Sequence, residues 1–495
     1  MVASTRTIRL RLAPTVNITP WILGLLLVTA CCGCDGVIDA TADKADNDAP
    51  TAAHEAAAPE AAAPEAAAPE AAQPKAAQPG TAQPEAVGAG NQGLGNDWPQ
   101  INGPTRNGVA SGETLLEQWP GGELQEIWSH PVGQGFAGPA VSRGRLVAFH
   151  RPGKRYVVEV LDAQTGKLIW NRELITKYGG GMDGDKGPKS VPLIHGDFVY
   201  VHGAGGIVYC LDFQTGKPVW ELDTQAAYPS QAGFFGAGSS PIVSSGNLIL
   251  NVGGRNTGIV ALDLKTGKEV WTAFDDRASY SSPIEIQVSG KPVVVFITRL
   301  KMVGLDPTSG NVQFEMRFGK TGPTVNGAMP AQVKIDGQDY LFLSAAYGVG
   351  AKMLKVSAGG IEQEWANDES FSTQFSTPVF YQGNLFGTAG RQDHANGTFR
   401  CVESLTGNVR WSQAKIPVGH SILVGDKIVV LDSDGGLHVI EANGKRFKQL
   451  YQTQLFETNV FAMPALSNGL LYARSNAGRD GRGELICVEI GQRTK

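Results

Sequence analysis

The chain has 495 residues, 18% of them charged, and a formal net charge of -5. No cluster of Lys and Arg occurs beyond the first dozen residues, which excludes a nucleic-acid groove or a polybasic membrane-binding surface. Gly is abundant, at 63 residues, and apolar runs with a 3.6-residue period are lacking, so an all-β fold of short strands is expected from about position 124 onward.

In chain order, Arg6, Arg9 and Arg11 precede the apolar stretch Trp21 to Val28, which is too short to span a bilayer as a finished helix. The run Val28-Thr29-Ala30-Cys31 resembles a bacterial lipobox. Residues 1–30 are therefore read as a signal peptide and Cys31 as the lipid attachment site; an ordinary signal peptide cut near Ala30 is the alternative. Either reading exports the protein to the periplasm or cell envelope; in the first, the lipid anchor is its sole membrane contact. Residues 31–96 read as a tether. Ala-Ala-Ala-Pro-Glu recurs from Ala56 to Glu70, and Pro at every fifth position interrupts any helix and leaves nothing to bury.

Residues 97–123 form a lead-in, and residues 124–495 carry a repeat. Leu161-Asp-Ala-Gln-Thr-Gly-Lys-Leu-Ile-Trp170 returns as Leu211 to Trp220 and as Leu262 to Trp271, with degenerate copies at Leu305, Lys355, Val402, Ile440 and Val488. A period of about 40 to 50 residues with several short strands per unit predicts propeller blades, and eight copies predict eight blades of four antiparallel strands. In each unit Asp opens a tight turn and Gly supplies its left-handed residue. The ring then fills the wedge between blades; the tryptophans assigned this task are Trp128, Trp170, Trp220, Trp271, Trp365 and Trp411. Too few residues follow Val488 to make a fourth strand. The strand around Trp128 is therefore expected to pair into the last blade, closing the ring and removing its free sheet edges. Cys210, Cys401 and Cys487 fall at equivalent positions of non-adjacent blades, so they are expected as buried thiols, too far apart for disulfides.

The Leu-Asp-x-x-Thr-Gly-Lys-x-x-Trp units resemble the PQQ-like β-propeller repeat family over roughly residues 124–490. That family contains the BamB lipoprotein scaffold of outer-membrane assembly and the quinoprotein alcohol dehydrogenases. Asp97-Trp98-Pro99-Gln100 with Gly103-Pro104-Thr105-Arg106-Asn107-Gly108 is similar to the opening of a large exported subgroup of the family. The quinoprotein side of the resemblance implies PQQ, calcium and a vicinal cysteine disulfide. The sole adjacent cysteines here are Cys31 and Cys32, in the targeting segment, so PQQ and calcium belong to the alternative function, a PQQ-dependent dehydrogenase with a diverged site.

Other motifs carry little chemistry. Gly179 to Gly184 spells a nucleotide-loop pattern without the strand and helix that pattern needs. Asp183 and Asp185 are weak calcium candidates, lacking the remaining ligands of a calcium loop. The histidines show no metal-ligand spacing. The long interblade loops bear aromatics, namely Tyr228, Phe234, Phe235, Phe371 and Phe375, which form the candidate binding face; the alternative is that these rings seal the blade tops. The expected function is a monomeric, lipid-anchored scaffold that binds an envelope protein through these loops, with no nucleic acid and no catalytic residue assigned. A carbohydrate- or ligand-sensing module is a further alternative.

Overall fold

The computed structural model describes residues 96–119, 122–230, 233–478 and 480–493; Cys31 and the tether lie outside them. Alternating apolar residues build thirty-two strands, numbered β1 (Gln125–Val132) to β32 (Gly483–Glu489) in chain order. They make eight four-stranded antiparallel sheets, the blades of a β-propeller. The helical elements named among the described residues are a single turn, Thr224–Ala227, capped by the Asp223 carboxylate, and a 3-10 turn at Gln392–His394.

Blade 1 shows the plan. Its strands are β2 (Ala140–Ser142), β3 (Arg145–His150), β4 (Tyr156–Asp162) and β5 (Leu168–Leu174), paired in that order. The repeat motif is the turn from third to fourth strand. Asp162 Oδ1 accepts from the Thr165 amide (2.8 Å) and hydroxyl (2.7 Å), and Gly166 takes φ +68°. Asp212 and Asp263 repeat the device with Thr215 and Thr266.

The repeat tryptophans do more than fill space. The Trp128 indole donates to Ala163 O (3.0 Å), Trp170 to Phe213 O, Trp220 to Leu264 O, Trp271 to Pro307 O, Trp365 to Ser404 O and Trp411 to Asn443 O. Each acceptor lies in the turn of the following blade. The ring also lies flat on that turn's glycine: a Cβ at Gly267 would meet the Trp220 ring at 2.6 Å. One residue type therefore couples burial, a hydrogen bond and blade order. Cores form between blades as well as within them; Val147, Phe149 and Val158 pack with Val199 and Val201 of blade 2.

The ring closes as the repeat count predicts. β1 pairs antiparallel with β32, from Gln125↔Glu489 to Val132↔Gly483, and stands as the outer strand of blade 8. Cys210, Cys401 and Cys487 are buried and unpaired. One expectation is corrected: closure does not remove the sheet edges, because every blade keeps an inner edge on the channel and an outer edge on the rim. The outer edges are blunted by a register shift at one fixed place per blade, as at Val160/Leu161, Cys210/Leu211 and Ala261/Leu262. The extra residue (Ile169, Val219 or Val270) is left exposed there, and the bulge twists the edge away from flat pairing.

The lead-in is a strap across one end of the channel. Asp97 accepts from the Ser142 hydroxyl (2.6 Å), and Trp98 exchanges two main-chain bonds of 2.8 Å with Val141 in blade 1. Pro99 O accepts from Ile194 N in blade 2. Arg106 then enters the channel with 3% exposure and donates to Pro283 O (2.7 Å), Pro241 O (2.9 Å), Ser240 O (3.3 Å) and Gln100 Oε1 (2.9 Å). Burial pulls its pKa down to about 9. The strap next pairs with Leu423 in blade 7 through Gly108 O and Ala110 N, and Glu113 receives the Gly469 amide of blade 8.

Candidate functional site

The strap lies on the face of the strand 1–2 and strand 3–4 turns, which bond to each other within a blade, as Ala163 N does to Gly144 O. The interblade loops gather on the opposite face. Two of them, from Tyr178 to Ser190 and from Ala226 to Ser239, are joined at their tips by Met182 N donating to Phe234 O (3.1 Å). A Cβ at Gly181 would strike Phe234 O at 2.6 Å, so glycine permits this contact. The tip projects Met182, 76% exposed, and Phe234, 41% exposed.

The candidate aromatics separate into two groups. Tyr228 and Phe371 are buried: Tyr228 ends the short helix and packs on Val252 and Leu250, and Phe371 meets Phe342 edge-on. They seal blades and present nothing to a partner. Phe234 is exposed, and Phe235 and Phe375 are half-buried. Phe235 leans on Tyr280 (5.7 Å), whose hydroxyl accepts the Phe235 amide. Phe375 belongs to an arc the sequence did not suggest, with His420 at 5.2 Å and Phe461 at 5.9 Å, and Phe461 in turn edge-on to Phe136 at 5.1 Å. Phe136, Tyr280, Phe375 and Phe461 each stand three residues before the Pro that opens an inner strand, so the repeat register itself places four rings around the channel mouth. That spacing was the available signal.

The charges near the arc are neutralised internally. Lys189, nearly buried, places its ammonium 2.6 Å from Asp185, 3.4 Å from Asp183 and 3.7 Å above the Phe136 ring. Asp185 also accepts from Gly135 N and Gly187 N. A calcium ion at Asp183 and Asp185 would have to displace this lysine. Among the described residues no group of three or more His, Cys, Asp or Glu is arranged to hold a metal. The described cysteines sit in three separate blades, so none forms the vicinal pair of the quinoprotein resemblance. The described residues thus supply neither the cysteine pair nor a free acidic cluster for PQQ with calcium. Burial pulls His420 down to about 4, and its ring faces Phe461 O at 3.0 Å, so it is a neutral structural imidazole rather than a proton carrier. Burial likewise holds the Cys210 and Cys401 thiols up at about 12, out of nucleophilic range.

One charged cluster brings together histidines that are far apart in sequence. Glu159 Oε2 lies 2.7 Å from His130 Nε2, on the closing strand, and 3.2 Å from His150 Nε2 in blade 1. Burial alone would raise the Glu159 pKa, but the His130 hydrogen bond and the close approach of both imidazoles outweigh it and hold the carboxyl at about 2. His150 Nδ1 accepts from Gly133 N (2.7 Å), which leaves the proton on Nε2, facing the carboxylate. The cluster is a latch between blade 8 and blade 1, not a metal triad.

Together the described loops present an exposed apolar tip beside a half-exposed aromatic mouth. Comparison with known proteins agrees on family and divides on activity. Residues 153–413 match the family of outer membrane protein assembly factor BamB. The chain is 25% identical over 374 residues to the BamB protein of Burkholderia pseudomallei, covering 66% of this chain and 90% of that one. It is 31% identical over 162 residues to a quinohemoprotein alcohol dehydrogenase of Pseudomonas putida, covering 31% of this chain and 22% of the enzyme. In fold it resembles the quinohemoprotein alcohol dehydrogenase from Comamonas testosteroni, with a TM-score of 0.61, 17% identity and 81% of each chain covered. It also resembles BamB from Moraxella catarrhalis, with a TM-score of 0.52, 16% identity, and 73% of this chain and 99% of that one covered. From its repeats, its eight blades and this match, the chain belongs to the PQQ-like β-propeller family typified by outer membrane protein assembly factor BamB.

Proposed function

We propose that this protein is an exported scaffold, lipid-anchored at Cys31, that docks a partner protein of the cell envelope on its interblade face. The observation that carries this reading is the joined tip of Met182 and Phe234, two large apolar side chains exposed on loops that brace each other. Exposed apolar groups on a rigid support suit protein docking, because little conformational entropy is lost on binding. In sequence, the likeness runs over 90% of a BamB protein but only 22% of a dehydrogenase, which supports the same reading. A calcium ion bound at Asp183 and Asp185, as the oxidoreductase alternative could use, would need Lys189 to surrender both aspartates. A ligand-sensing role has one observation in its favour: the arc of Phe136, Phe461 and Phe375 at the channel mouth suits stacking on a flat or saccharide ring.

The test is photo-crosslinking in cells, with the reactive residue placed at Met182, at Phe234 and, as a control, at exposed Gln313 on the rim. Scaffold function predicts discrete adducts with an envelope protein from the two tip positions and none from the rim. The same adduct pattern at all three positions, or none at the tip, would overturn the assignment of this face.

A further inference from the structure

A cavity lies on the face opposite the aromatic mouth. It has a volume of about 630 Å³ and is bounded on one side by the strap, from Gln100 to Val109, and on the other by blades 3 to 6. Its walls are the inner strands β10 (Ile242–Ser244), β14 (Ile284–Val288), β18 (Ala331–Ile335) and β22 (Val379–Tyr381).

In antiparallel pairs, residues alternate between those bonded across the ladder and those whose N–H and C=O point away from it. The inner hairpins have two-residue turns, which set the phase. Val288↔Lys291 closes its turn as a bonded pair, so Gln287 and Glu285 turn their main-chain groups toward the channel. Ile335↔Gln338 does the same in blade 5, freeing Lys334 and Gln332. Val243 and Phe380 hold the corresponding places in blades 3 and 6. All six of these residues line the cavity.

The strap shows what such groups bind. At the equivalent positions of blades 1, 2 and 7, Val141, Ile194 and Leu423, the channel-facing main chain bonds to Trp98, Pro99, and Gly108 with Ala110. Two of these contacts are strand bridges, antiparallel at Val141 and parallel at Leu423. Among the described residues nothing bridges to β10, β14, β18 or β22 on their channel side. The strap therefore occupies the channel-facing main chain of blades 1, 2 and 7 and leaves that of blades 3 to 6 open. Blades 4 and 5 each offer two successive outward-facing residues, the spacing an added strand requires.

We propose that this open stretch is a socket for an extended polypeptide segment of a partner protein, bound by strand addition to β14 and β18. The segment continues around the mouth the pairing that the strap begins. Pro at every fifth residue makes this chain's own Ala-Pro-Glu stretch a poor occupant, since each Pro lacks the donor that pairing uses. The socket lies apart from the interblade face and does not depend on it.

The test uses the full chain and a random dodecapeptide phage library, followed by amide hydrogen exchange with the enriched peptide. Expected are peptides that slow exchange at Glu285, Gln287, Gln332 and Lys334 at least tenfold and lose at least tenfold in affinity for Gln287→Pro. Proline there removes an outward N–H and no ladder bond. If that variant does not fold, Lys334→Pro and the exchange pattern of the parent decide. Failure to enrich any peptide, or peptides that bind both proline variants unchanged and leave these amides unprotected, would overturn the socket. Slow exchange at these four amides before any peptide is added would show that the chain fills the site itself and would equally overturn the partner assignment.

Discussion

Arg106 is the point where the strap and the channel are most tightly coupled. Arg106→Met keeps the length of the side chain and removes its donors. Pro241, Pro283 and Ser240 would then present carbonyls to the channel with nothing to receive. A buried acceptor left without its donor costs about 1–3 kcal/mol. Water admitted from the adjoining cavity returns part of that, and the guanidinium's own burial, visible in its lowered pKa, offsets more. The net loss expected is about 3 kcal/mol. With an unfolding entropy of about 2.1 cal/mol/K per residue over roughly 390 residues, this lowers Tm by about 4 °C. Calorimetry measures it, with Thr105→Ala as the control, since Thr105 bonds to exposed Asn107 within the strap alone. Arg106→Lys should fall between the two, because one ammonium cannot span carbonyls from two blades. If Arg106→Met melts within 1 °C of the parent (about 1 kcal/mol or less) and the amides of Trp98 and Ala110 exchange no faster, the strap is not pinned by this residue.

Other outcomes follow from the same contacts. Gly267→Ala, with φ +68° and a Cβ forced against Trp220, should cost several kcal/mol, whereas Gly246→Ala, with φ +78° and open space around it, should cost about 1 kcal/mol in urea unfolding. Trp220→Ala should cost about 3–5 kcal/mol by the same measurement, against near-neutral Val219→Ala on the exposed bulge beside it. The Glu159 carboxyl is held at about 2, below its ordinary 4.5, so its contribution is present above 4.5 and lost as pH falls toward 2. Acid unfolding of Glu159→Gln should be flatter over that window, and a slope equal to the parent's would remove the latch argument. Deleting residues 125–132 should leave β32 unpaired and give aggregates in light scattering; a monomeric, cooperative melt would contradict the closure.

Most of the fold was readable because the repeat states its own local physics. Asp, Thr, Gly and Trp each make the contact that their chemistry predicts, within a turn or across to the next turn, so spacing in sequence becomes spacing in the ring. The strap was not readable. It has no periodicity, and Arg106 bonds to carbonyls 134 to 177 residues away. The site was legible in part. Phe371 and Phe375 lie one short step apart in one loop, yet the first faces Phe342 in a blade core and the second faces His420 at the mouth. Composition cannot separate them; register against the following Pro378 does. His130 and His150 likewise meet only because ring closure lays the first strand against blade 1.

The strap also decides how the molecule carries load. The described chain begins at Asn96, and the next residues, Asp97 and Trp98, are already fastened to β2 of blade 1. A pull on the N-terminal segment is therefore taken up by those contacts, by the Arg106 pin and by the Leu423 bridge, in series, before any force reaches β1. The β1–β32 ladder, the one seam that would open the ring, is kept out of the line of tension. A propeller held by its leading end can thus be tugged without being unbuckled.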